Sequence, residues 1–83
     1  MQYWSCRFNR PDSLKKHRTL QAAIRNAGSF GCIYDKASKK VYQVLRMAGS
    51  GELEIYDTVE QAASCSLNGF DMLSAMDSFG IKR

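Results

Sequence analysis

Polar and apolar side chains alternate through residues 3–9, with Trp4, Cys6 and Phe8 on one side and Tyr3, Ser5 and Arg7 on the other. A period of two predicts a strand with one buried face. Arg10-Pro11-Asp12-Ser13 ends it, because proline restricts its predecessor and Asp or Ser can cap a following helix. The pattern then changes to Leu20, Ala23, Ile24 and Ala27, the i, i+3, i+4, i+7 spacing of a helix face. That helix starts either at Asp12, with Leu14 on a side face, or at Thr19, itself a suitable N-cap. Asn26-Ala27-Gly28 closes it, the glycine supplying a left-handed terminus.

Residues 30–35 and 40–47 read as two strands around the turn Lys36-Ala37-Ser38-Lys39. Val41, Tyr42, Val44 and Leu45 are dense enough for a central strand covered on both faces. Gly49-Ser50-Gly51 turns the chain into residues 52–56, where Leu53 and Ile55 alternate with glutamates and are expected inward. Pairing Arg46 with Glu52 and Leu45 with Leu53 keeps side chains on sensible faces and sets the register. Thr58 and Gln61 have capping-box spacing, and Asp57 and Glu60 suit the positive end of a helix dipole. Val59, Ala62, Ala63, Ser66 and Phe70 form the stripe of this helix. The next apolar residues, Met72, Leu73, Ala75, Met76 and Phe79, fall out of phase with it. A break across Asn68-Gly69 therefore separates a short final helix, beginning at Asp71 or Met72, ending at Phe79 and closed by Gly80.

The order β-α-β-β-β-α-α predicts an α+β fold: a mostly antiparallel four-stranded sheet with helices on one face. A single domain spans residues 1–83, with Trp4, Phe8, Ile24, Val41, Leu45, Leu53, Ile55 and Phe70 in one core. Hydrophobic content of 45% with nine aromatics places the chain among folded domains rather than disordered ones. No apolar run reaches the length of a membrane span, and Arg7 and Arg10 interrupt the first stretch. Three widely spaced cysteines, Cys6, Cys32 and Cys65, fit reduced, buried thiols rather than a disulfide framework. The protein is expected to be cytoplasmic.

Charge changes the picture more than composition does. Residues 1–46 hold ten Lys and Arg against Asp12 and Asp35, whereas residues 47–83 hold Lys82 and Arg83 against six carboxylates. Two surfaces of opposite sign are expected unless the fold mixes the halves.

Candidate chemistry is sparse. His17 and the cysteines contain no Cys-x-x-Cys or His-x-x-x-His pair, so no metal and no cofactor is expected. Cys6 or Cys65 with His17 is the one formal nucleophile–base pairing, but Lys15-Lys16-His17-Arg18 reads more simply as a solvated face. Gly49-Ser50-Gly51 lacks the spacing of a phosphate loop. Neither catalysis nor a small-molecule substrate is expected.

Two binding surfaces remain. Arg7, Arg10, Lys15, Lys16, Arg18 and Arg25 form a basic cluster, most of it consecutive in the chain and hence close in space whatever the sheet order. Lys36, Lys39 and Lys40 extend the basic list, and Tyr3, Tyr34 or Tyr42 offer stacking surfaces. Met72, Met76 and Phe79 on the last helix form a second, adaptable docking face. Size, charge polarity and lack of catalytic groups suit a non-catalytic inhibitor or adaptor that docks on a protein or nucleoprotein complex. Small proteins that phages and mobile elements direct at host machinery or defences share this profile. The alternative is sequence-independent RNA or DNA binding through the basic half, although no RNP, KH, homeodomain or zinc-finger signature occurs.

Overall fold

The structure, a computed structural model, describes residues 2–46 and 52–82. It is an α+β fold built on a five-stranded antiparallel sheet in the order β2-β1-β3-β4-β5. The elements are β1 (Tyr3–Arg7), β2 (Arg10–His17), α1 (Leu20–Ala27), β3 (Cys32–Asp35), β4 (Val41–Arg46), β5 (Glu52–Tyr56), α2 (Val59–Cys65) and α3 (Gly69–Ser78).

The fifth strand is β2, where the sequence predicts a break or a helix start. It pairs with β1 across a two-residue turn, Arg7 opposite Arg10, with Asn9 at φ 57°. Its composition hides it: Pro11, Lys15 and Lys16 are unfavourable inside a sheet but common on an exposed edge, where they discourage further pairing. Thr19, not Asp12, caps α1, its hydroxyl accepting from the Ala22 amide. Gly28 ends that helix at φ 68° and donates to the Ile24 carbonyl.

Helices cover both faces of the sheet rather than one. The pleat sends Tyr3, Ile33 and Val44 toward α1, where they meet Ala23 and Ala27, with Leu20, Ile24 and Leu53 packed against them. The intervening residues Cys6, Cys32, Tyr34 and Val41 face the other way and meet Val59 of α2 and Met72, Ala75 and Met76 of α3. There are thus two cores, and the expected single one is divided. Trp4 and Val41 belong to the second, Ile24 and Leu53 to the first. Phe8, Ile55 and Phe70 are exposed and belong to neither. Phe8 lies past the end of β1, and Ile55 is on an edge strand beyond the reach of α1. Phe70 opens α3 on its outer side.

The β4–β5 register keeps Arg46 opposite Glu52 but pairs Leu53 with Val44, and a bulge at Leu45 absorbs the difference. The expected Gly49-Ser50-Gly51 turn lies outside the described residues. Thr58 caps α2 through its hydroxyl to the Gln61 amide, while the Gln61 side chain accepts from the Asp57 amide. The break between the last two helices falls where the phase change places it. α3 begins at Gly69, where a Cβ would strike the Ala62 carbonyl. Only glycine lets the two helices approach so closely.

Candidate binding furrow

The edge position of β2 decides where the basic residues go. Lys15 and His17 pair with Ser5 and Tyr3 of β1 and project on the α1 side of the sheet. Arg25 stands in the last turn of α1, where the helix dipole favours a cation. The Arg7 guanidinium donates from Nε to the Asn26 carbonyl at 3.1 Å, satisfying a group left over at the helix end. Three openings run together along this seam. One of about 450 Å³ contains Arg7, Phe8 and Arg10, and one of about 350 Å³ contains Arg7, Lys15, His17 and Arg25. The last, about 590 Å³, is formed by Gln2, Lys16, His17 and Arg18. Arg7 joins the first two and His17 the last two, so they form one furrow. Arg7, Arg10, Lys15, Arg18 and Arg25 line it, Lys16 borders it only from the outer edge of β2, and among the described residues no carboxylate lines these openings.

Two neighbours complete the electrostatics. Asp12 sits 3.7 Å from Arg10 but borders a separate opening beside Ala75 and Phe79 of α3. Both partners are largely exposed, so solvent screens their attraction. Lys16 turns over the outer edge with its ammonium 5.6 Å from the Trp4 ring centre, a cation–π contact on the other face. At the far edge of the sheet, Glu52, Glu54 and the nearby Asp57 make an acidic counterpart. Glu54 accepts from the Tyr56 hydroxyl at 2.7 Å, a bond that, with some burial, pushes this phenol up to about 12. The fold partly mixes the two halves, since Lys40 stands 3.8 Å from Asp57 and Arg46 lies opposite Glu52 in the strand register beside this acidic edge.

The floor of the furrow is polar. Ser5 is fully buried, and its hydroxyl oxygen accepts from the Asn26 side-chain amide at 2.6 Å and lies 2.8 Å from Nε2 of His17. Burial, reinforced by the charge of Lys15, lowers the His17 pKa. The neutral ring can then accept the Ser5 proton at Nε2. Serine, histidine and an amide meet here, but the serine has no surface a substrate can approach. Cys6 lies in the core on the opposite side of the sheet from His17. Burial pushes its thiol up to about 11 and that of Cys32 up to about 12, values at which little thiolate forms near neutrality. Cys65 is exposed at the end of α2, contrary to its expected burial. Among the described residues, no three His, Cys, Asp or Glu side chains are grouped to hold a metal ion, and no helix is long and apolar enough to cross a membrane.

The other predicted residues separate. Met72 and Met76 are fully buried against the sheet, because the apolar stripe of α3 is what closes the second core. They cannot form a docking face, and only Phe79 of that trio is exposed. Tyr3 and Tyr34 are buried, and the half-buried Tyr42 donates its hydroxyl to Asp35 at 2.9 Å, so none is a stacking surface. Lys36, Lys39 and Lys40 lie at the β3–β4 turn and do not line the furrow; Lys40 instead stands 3.8 Å from Asp57.

Sequence alternation missed the aromatic residues that do reach solvent near the cations. Phe8, in the β1–β2 turn, is 46% exposed, and Phe30, before β3, is 42% exposed. Their rings meet edge-on, with centroids 6.1 Å apart. Asn68 and Gln43, both fully buried, fix the two loops from beneath. The Asn68 side chain accepts from the Asn9 amide and donates to the Cys6 and Arg7 carbonyls. Gln43 donates to the Phe30 and Gly31 carbonyls and accepts from the Asn68 amide. The available signal was the run Gly28-Ser29-Phe30-Gly31, an aromatic residue set in a turn sequence. No family model matches this chain, and no curated protein or solved structure is detectably similar to it.

Proposed function

We propose that the protein is a non-catalytic inhibitor or adaptor that docks on a nucleoprotein complex by seating backbone phosphates in the furrow between α1 and β2. One observation carries this reading: Arg7, Arg10, Lys15, Arg18 and Arg25 line adjoining openings that no carboxylate lines among the described residues. The eight residues of β2 extend about 26 Å at strand rise, long enough for several consecutive phosphates. Cations held on a strand edge and a helix end are aligned before contact, so less ordering is needed on binding. The buried Ser5 hydroxyl and the raised cysteine thiols favour recognition over chemistry at this surface.

The test is binding of labelled random-sequence RNA and DNA across a salt series from about 50 to 200 mM, where phosphate contacts weaken steeply. The triple reversal Arg10→Glu, Lys15→Glu and Arg18→Glu is expected to abolish most affinity while changing stability by about 0.5 kcal/mol or less, as exposed charges do. A triple variant that folds and keeps full affinity overturns the proposal. A second reading, docking on an acidic protein surface, draws support from Leu67 and Phe70, which flank Asn68 and are exposed. Salt-sensitive inhibition of a protein target without any nucleic-acid affinity would favour it.

A further inference from the structure

We infer that Phe8, braced edge-on by Phe30 at one end of the furrow, is a stacking platform for an unpaired nucleobase, which makes single-stranded nucleic acid the ligand. This rests on the phosphate-binding reading of the furrow and adds what that reading leaves open.

Three observations converge on the aromatic pair. The first is placement: Phe8 shares its opening with Arg7 and Arg10, so a strand whose phosphates lie on those guanidinium groups brings its bases to the ring. The second is ring geometry. An interplanar angle of 64° puts an edge of one ring toward the other, leaving each with at least one face its partner does not cover. A flat base needs such a face, and every base has one to offer, so the platform is indifferent to sequence.

The third is the backbone. Phe30 has φ 67°, a conformation rarely adopted by bulky residues and one that glycine would adopt freely. Its neighbours Gly28 and Gly31 show that the chain uses glycine in this very turn. A phenylalanine that is both strained and exposed loses on backbone and on burial alike. Such placements concentrate at functional sites, where the surrounding structure enforces them. Here the bond from Gln43 Nε2 to the Phe30 carbonyl, 2.7 Å, and that from the Asn9 amide to Asn68 Oδ1, 3.1 Å, hold both loops. Duplex bases are stacked on one another and cannot reach Phe8. The arginines would still meet duplex phosphates, so charge alone does not separate the two ligands.

The experiment compares three probes at matched phosphate concentration: a mixed-sequence single strand, the corresponding duplex, and inorganic polyphosphate, which has no bases. Each is titrated into the native protein, Phe8→Ala, Phe8→Tyr and Phe30→Ala, with the fold of each variant checked by circular dichroism. The single strand is expected to bind best, and Phe8→Ala to weaken it about 5- to 100-fold. Affinity for duplex and polyphosphate should change less than about twofold, and Phe8→Tyr should retain single-strand binding. Equal affinity for all three probes, or equal losses for all three in Phe8→Ala, overturns the stacking role and leaves the furrow standing. Should Phe8→Ala fail to fold, Phe30→Ala decides the matter by the same comparison. No binding of any probe by the native protein removes the furrow reading and the platform with it.

Discussion

Asn68→Ala tests whether one buried amide holds the end of the molecule together. The side chain is fully enclosed and makes three hydrogen bonds: it accepts from the Asn9 amide at 3.1 Å and donates to the Cys6 and Arg7 carbonyls at 3.2 and 3.3 Å. Alanine removes all three and leaves the backbone bond from the Asn68 amide to Gln43 in place. The Cys6 carbonyl is the most enclosed of the stranded partners, and an unsatisfied buried acceptor costs about 1–3 kcal/mol. The Asn9 amide and Arg7 carbonyl sit nearer the rim, where water can replace part of what is lost, about 0.5–1.5 kcal/mol each. The sum is about 2–6 kcal/mol, a large share of the roughly 5–15 kcal/mol typical of a domain. At this chain length that lowers the melting temperature by about 10–35 °C. Urea unfolding followed by Trp4 fluorescence measures the loss, and hydrogen exchange at the Asn9 amide locates it. A loss below about 0.5 kcal/mol with Asn9 still protected would refute the reasoning.

Two further outcomes follow from the cores and from His17. Met72→Ala should cost about 2–5 kcal/mol in the same urea assay, because it empties a fully buried site, whereas Phe79→Ala should be nearly neutral. The opposite ranking would return α3 to the role of a docking face. His17 is held below its ordinary 6.5 in the folded state, so the unfolded chain binds the proton first as pH falls. Its contribution is intact above about 6.5 and is lost as pH drops from there toward the lower folded value. His17→Gln should flatten the change in stability between pH 7.5 and pH 5.5. An unchanged slope would show that the ring is not the titrating group. Asp35 belongs to a separate window. Burial would raise its carboxyl, but hydrogen bonds from the Tyr42 and Ser38 side chains and the Ala37 and Ser38 amides lower it below 3.8. Its contribution therefore disappears only in stronger acid.

Local chemistry made most elements legible, and tertiary neighbours decided the rest. Thr19, Gly28 and Thr58 mark helix ends by short-range bonds and the Asn68-Gly69 break by a change of helical phase, so the sequence carries them. β2 escaped because an exposed edge selects charge and tolerates proline, which erases the alternation that identifies interior strands. The two-sided sheet was partly visible in the density of Val41, Tyr42, Val44 and Leu45. The other half of that signal was the series Cys32, Ile33, Tyr34 and Asp35, all buried although alternate members face opposite helices. Five of the basic residues, Arg7, Arg10, Lys15, Lys16 and Arg18, were found as a group because they are close in the chain. Arg25 joins them through the placement of α1 on β1 and β2. Phe8 was missed for a simpler reason. Alternation continues past Arg7 in the sequence, but the strand stops there and the chain turns.

The cations of β2 and the carboxylates Glu52 and Glu54 of β5 stand on opposite edges of the sheet, which biases the field across the strands. A free molecule near a polyanion experiences a torque that turns β2 inward before any contact forms, raising the fraction of productive encounters. The same torque points Glu52 and Glu54 away from the surface. In the proposed complex the carboxylates of β5 face outward, and a second polyanionic strand approaching from that side meets repulsion. A protein with cations on both edges would cross-link such strands and condense them. Under the proposed reading of the furrow, a protein with cations on one edge only would coat a single strand and leave it separate from its neighbours.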